Sequence, residues 1–170
     1  MQILVLYATV LLASCANSLG PAVSCRMEDQ YHISSDQHTA GVDSRGDQAM
    51  GFSHETAAHH FALLPDGGVI EVQVKDAHDD ATRNEIRSHL THIAAMFSAG
   101  DFDMPMFIHD RVPPGVPVMK QKHEAITYQY EQTECGGMVR IRTLDPDALK
   151  AVHEFLVFQI QDHHTGDPQK

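Results

Sequence analysis

Hydrophobic positions across residues 79 to 109 follow a helical period. Ile86, Leu90, Ile93 and Phe97 recur at i, i+4, i+7 and i+11, an apolar stripe that must rest on other elements. One position earlier at each step run Glu85, His89, His92 and Met96, about 100° round the same helix, at the shoulder of its buried face. Gly100 ends the helix, and the chain beyond it brings Met104, Met106 and His109. On either side the period drops to two. Residues 61 to 64, the turn Pro65-Asp66-Gly67-Gly68 and residues 69 to 75 predict a hairpin with Ile70, Val72 and Val74 inward and Glu71, Gln73 and Lys75 outward. Residues 125 to 133, the turn Glu134-Cys135-Gly136-Gly137 and residues 138 to 143 predict a second hairpin, with Val139 and Ile141 inward. A second helix opens with Asp145 as N-cap and Pro146 at its first position, carries Leu149, Val152, Leu156 and Ile160 on one stripe, and runs to about Asp162.

The run from Gly67 to Val72 lines up with the run from Gly136 to Ile141, so the chain reads as two ββα units. Two such units close most simply as an α+β fold, a four-stranded antiparallel sheet with both helices on one face. Glu71, Gln73, Lys75, Gln129, Glu131, Arg140 and Arg142 then lie on the opposite face, where alternating signs predict cross-strand ion pairs. Between the units, residues 98 to 124 are rich in Pro and Met, and a loop of that length in a small domain usually has a functional role. Residues 51 to 170 make the single folded domain.

Residues 1 to 15 form an apolar run too short to span a bilayer, followed by small residues, which is the pattern of an export signal. Its end, Leu12-Ala13-Ser14-Cys15, resembles the lipobox of bacterial lipoprotein signal peptides. That resemblance implies a mature chain beginning at a lipidated Cys15 and anchored to a membrane of the cell envelope. The alternative is an ordinary secretory signal cleaved near Ala16 or Ser18. From 16 to 50 the composition shifts to Ser, Asp, Gln and Gly with little apolar periodicity, which predicts a flexible tether. With Cys15 lipidated or removed, Cys25 and Cys135 remain as an even pair in an oxidising compartment, either bridged or free as soft ligands.

Composition changes this picture at one point. A formal charge of -11 argues against nucleic acid and is compatible with a protein that handles cations, while 13 His and 8 Met in 170 residues call for an explanation. No His-Glu-x-x-His, Cys-x-x-Cys, phosphate-binding Gly loop or nucleophile elbow occurs. The candidates are instead dispersed. His89 and His92 leave adjacent helical turns, and Met104, Met106 and His109 add thioether and imidazole, the donor set that suits copper. His59 joins them if Phe61 and Leu63 face inward, since strand alternation then sends His60 to the open face, and His54 precedes on a loop. The first reading is therefore an exported, lipid-anchored protein that binds a transition metal, copper fitting best, for sequestration or delivery. A second is an enzyme using pocket His residues as general acid and base without a metal. A third is a non-catalytic envelope module that binds a small ligand or partner on its polar sheet face.

Replacing Cys15 with Ser is expected to move the protein from the membrane to the soluble periplasmic fraction, because several acyl chains hold a lipoprotein firmly. A wild-type chain that is already soluble and begins near Ala16 would overturn the anchored reading.

Overall fold

A computed structural model describes residues 37–170. The export signal, Cys15, Cys25 and the first part of the expected tether lie outside the described residues. In chain order the elements are α1 (Gln37–Met50), β1 (Ala57–Leu64), β2 (Gly67–Val74), α2 (Asp80–Ser98), α3 (Asp103–His109), α4 (Val116–Gln121), β3 (Ile126–Gln132), β4 (Gly136–Thr143) and α5 (Pro146–Asp162). The strands form one antiparallel sheet in the order β1-β2-β4-β3, which makes a mixed α+β fold.

The sheet is held at its centre by β2 against β4. Their register is symmetric about Ile70 opposite Val139, so that Gly68 faces Ile141 and Val72 faces Gly137. Side chains would obstruct this pairing. A Cβ on Gly67 would lie 2.1 Å from the Ile141 carbonyl oxygen, and one on Gly136 would lie 2.2 Å from that of Val72. The two glycine pairs are therefore strand residues that let the central backbones approach. Only Pro65 and Asp66 connect β1 to β2, in a two-residue hairpin loop.

Strand alternation places Phe61, Ile70, Val72, Val74, Ile126, Tyr128, Val139 and Ile141 on one buried face. Helices α2 and α5 both cover that face, crosswise: α2 rests mainly on β3 and β4, and α5 mainly on β1 and β2. The predicted stripe of α2 is buried throughout at Ile86, Leu90, Ile93 and Phe97. Its N-terminus is capped by Asp79, whose side chain accepts the N–H of Thr82, and α5 is capped by Asp145, which accepts from Asp147 and Ala148. Phe97 stacks on Phe102 at 4.4 Å and meets Tyr128 and Phe155 edge-on, which joins helices and sheet into one core.

Three sequence expectations are corrected. Residues 37 to 50, expected within the tether, form α1, where Val42, Gly46 and Met50 repeat every four residues; Val42 is 1% exposed, and Arg45 Nε donates to the Ile108 carbonyl at 2.8 Å. Two inward residues and one small one give too weak a pattern to announce a helix. The segment from 98 to 124 is not one long loop, since it winds into α3 and α4. On the open face, the expected cross-strand pairing of Arg140 and Arg142 with strand carboxylates is replaced by contacts from both to Asp66 in the hairpin turn.

Cys135 lies in the β3–β4 turn and is disulfide-bonded, its partner falling outside the described residues, so the free ligand alternative does not apply to it. The edge strand β1 is partly closed by the C-terminal segment, where Asp167 accepts the Phe61 N–H at 2.9 Å and stands 3.2 Å from His60 Nδ1. Among the described residues no helix is long and apolar enough to cross a membrane.

Substituting Gly136 with Ala is expected to lower stability by more than about 2 kcal/mol, because a methyl group there meets backbone rather than a movable side chain. Denaturant titration measures it. A midpoint within error of wild type, at equal slope, would mean that the β2–β4 contact can relax.

Candidate functional site

The crosswise helices leave a gap at one end of the buried face, roofed by α3 and bordered by the C-terminal end of α1. Here lies a cavity of about 60 Å³. Its walls are mainly apolar, with Phe61 and Val72 from the sheet, Leu90, Ile93 and Phe97 from α2, and Phe155 from α5. Set into them are four imidazoles, of His59, His89, His109 and His163, two thioethers, of Met50 and Met104, and the amide of Gln159.

Each of these is positioned by its own element. His59 alternates inward with Phe61 on β1, while His60 turns outward to Asp167, as the expected register requires. His89 sits one position before Leu90 on the shoulder of α2, and Phe52 meets it edge-on at 5.6 Å. Met104 and His109 come from α3. His163 is the C-cap of α5 and stacks on His59, with ring centroids 5.5 Å apart and planes within 9°.

His109 differs from the other three. It is 1% exposed, with Nδ1 2.6 Å from Asp162 Oδ2 and Nε2 3.0 Å from the Gln159 amide oxygen; both oxygens are acceptors, so a neutral ring, with one N–H, donates to only one of them. Asp162 also accepts from Arg111 at 2.5 Å, and the Arg111 guanidinium lies over the Phe158 ring. Both nitrogens of His109 thus face acceptors, the Asp162 contact being the shorter. The other amide atom of Gln159, Nε2, is buried without a partner among the described residues, so this side chain offers one free polar group to whatever fills the cavity.

Burial sets the charge of the cluster. The His59 imidazole is pushed down to about 3, first by desolvation and then by repulsion from His89, His60 and His54. His89 falls to about 4 through desolvation and then His92, and His163 falls well below its ordinary value through desolvation, His59 and His109. His109 is also lowered by desolvation, opposed by the hydrogen bond and charge of Asp162. All four are neutral near pH 7. Neutral imidazole carries an exposed lone pair on one nitrogen, the form that ligates metals or accepts protons. For His59, His89 and His163 no ring nitrogen has a hydrogen-bond partner among the described residues.

Of the residues singled out from sequence, His59, His89, Met104 and His109 therefore meet at one cavity. The remainder do not. His92 is exposed on α2, Met106 packs against the core outside the cavity wall, and His54 is held on α1 by Asp47, with Nδ1 at 3.0 and 3.1 Å from its two oxygens. Glu85 is exposed and makes no bond to His89. His163, Gln159, Asp162 and Met50 are not among the residues singled out from sequence. Their signal was present: Phe155, Gln159 and His163 follow one another at i, i+4 and i+8, so two polar residues continue the inner surface of α5.

Among the described residues, no three His, Cys, Asp or Glu side chains already stand close enough together to hold an ion. A metal here needs the thioethers, or a turn of the rings toward a common point. Comparison with known proteins finds no matching family model, no matching curated protein and no matching solved structure.

The depressed imidazoles make stability depend on pH in a defined direction. Their folded-state values lie below 6.5, so the neutral form belongs to the folded chain and protonation favours unfolding. This contribution is fully present above about pH 6.5 and is lost as pH falls toward about 4 for His89 and about 3 for His59. Urea unfolding of His89→Leu at a series of pH values should show a flatter decline between pH 6.5 and 4 than wild type. An identical decline would mean that His89 titrates like a solvated ring.

Proposed function

We propose that the domain binds a transition-metal ion, copper before others, in the cavity beneath α3, and that it sequesters or delivers that ion in the cell envelope after export and anchoring through Cys15. The observation that carries the reading is the presence, in one small apolar cavity, of three neutral imidazoles without hydrogen-bond partners, on His59, His89 and His163, beside the Met104 thioether. Their lone pairs are uncommitted to the protein, so an ion can be taken up there without breaking a hydrogen bond among the described residues. Imidazole with thioether is the donor combination that suits copper.

In this reading His59, His89 and His163 are the nitrogen donors and Met104 the sulfur donor. His109 lies behind them, tied to Asp162 and Gln159 and packed edge-on to His163 with ring centroids 5.0 Å apart. It holds the His163 ring in place and does not itself supply a ligand. His54, His92 and Met106 have no part in the site.

One observation favours the acid/base reading instead. A buried His–Asp pair at 2.6 Å is how a general base is oriented, and His109 borders the cavity. The two readings predict different results. Protein purified from its native compartment should carry stoichiometric copper, and Met104→Leu should weaken copper binding at least tenfold, at a stability cost under about 1.5 kcal/mol because the volumes are similar. The double variant His59→Ala, His89→Ala should weaken it further. A chain that takes up no copper, or whose affinity is unchanged in these variants, would overturn the metal reading in favour of His109 chemistry.

A further inference from the structure

If the cavity holds an ion as proposed above, its walls also restrict the charge that the ion can carry. Among the described residues, no Asp or Glu side chain lines it. The nearest buried carboxylate, Asp162, is oriented to His109 and Arg111, and Asp43 and Asp47 stand on α1 around His54, outside the cavity wall. Every donor facing the cavity is neutral, whether imidazole, thioether or amide. The rest of the lining is hydrocarbon, which offers an entering ion no replacement for its hydration shell.

Transfer from water into such surroundings costs free energy that rises with the square of the charge, so a divalent ion pays about fourfold the desolvation of a monovalent one of similar size. Many sites for divalent ions offset this with carboxylates or thiolates, and those built on imidazoles alone gather at least three of them round one point, zinc taking four donors in a tetrahedron. This cavity supplies neither anions nor a ready group of three such residues among the described ones. A soft monovalent ion needs less. It is stabilised by thioether sulfur, of which Met104 and Met50 both border the space. We infer that the cavity selects a soft monovalent cation, the reduced copper ion, against Cu(II) and Zn(II). It therefore receives its cargo already reduced and takes no part in the electron transfer.

Gln159 gives the test its handle, because it lies in the wall, is 5% exposed and differs from a carboxylate by one atom. Full-length mature protein, titrated without oxygen against chromophoric chelators specific for each ion, should bind Cu(I) and its redox-inert counterpart Ag(I) at least 100-fold more tightly than Zn(II) or Cu(II). Gln159→Glu places a negative charge in the wall while keeping the imidazoles and thioethers, and should narrow that ratio at least tenfold. The wild-type ratio alone is decisive should this variant fail to fold. Divalent ions binding within tenfold of Cu(I) would overturn the selection by charge while leaving a metal function standing. Binding of none of the four ions would remove the metal function itself.

Discussion

The short contact between His109 and Asp162 fixes the position of everything around the cavity. It joins α3 to the last turn of α5, two elements whose contacting residues are more than fifty positions apart in the chain. Met104 and Pro105 border the cavity because α3 is held there, and α1 follows, since its Arg45 bonds to the Ile108 carbonyl of the same short helix. Helix α3 has only seven residues and no side-chain cap at its N-terminus, so little intrinsic propensity holds it. Its place is set by tertiary contacts. Asp162 is a buried carboxylate, and moving His109 away would remove one of its compensating contacts, which favours keeping His109, and with it α3, in place.

That arrangement is not the one that stability alone would select. Leucine or phenylalanine at positions 59, 89 and 163 would cover the apolar walls without the desolvation that depresses these imidazoles. Three imidazoles held neutral by desolvation give a place where local rules are broken, and such places tend to coincide with sites of function. The apolar part of the core does the supporting. The Phe97, Phe102, Tyr128 and Phe155 cluster is dense and lies next to the cavity, so the walls are rigid where the contents are frustrated.

Elements with strong internal periodicity were legible in the sequence. The two hairpins, the stripe of α2 with its exact burial partners, and α5 with its Asp145 cap all follow from alternation, helical spacing and capping chemistry. The inward direction of His59 also followed, because strand alternation leaves no freedom once Phe61 is placed. Helix α1 did not, since its inner positions are one Val, one Gly and one Met amid polar residues, and it is stabilised by α3 more than by itself. Nor did the partner of His109. Sequence spacing could group His109 with Met104 and Met106, its neighbours on α3, but the bonds that occupy its ring come from α5. His163 continues the Phe155 and Gln159 positions, but it lies just past the predicted helix end at about Asp162, where helical spacing no longer fixes a direction. The misplacements share one cause: local patterns show which face a residue takes and leave open which distant element meets that face.

The same geometry weighs between a strut and a base at His109. A general base must present a lone pair to its substrate, directly or through one water. Here Nδ1 faces Asp162 and Nε2 faces the amide of Gln159, so each ring nitrogen of His109 is directed at a protein group. An amide does not relay a proton in one step, because it would have to gain one at oxygen and lose one from nitrogen. The imidazoles that do offer free nitrogens, on His59, His89 and His163, lack a carboxylate to orient them or to stabilise the imidazolium that proton abstraction would create. Desolvation opposes that imidazolium as well. Orientation by a carboxylate and access to the cavity are thus divided between different histidines. Acid/base catalysis needs them on one, whereas coordination of an ion needs only the second, with the first serving to keep the wall in place.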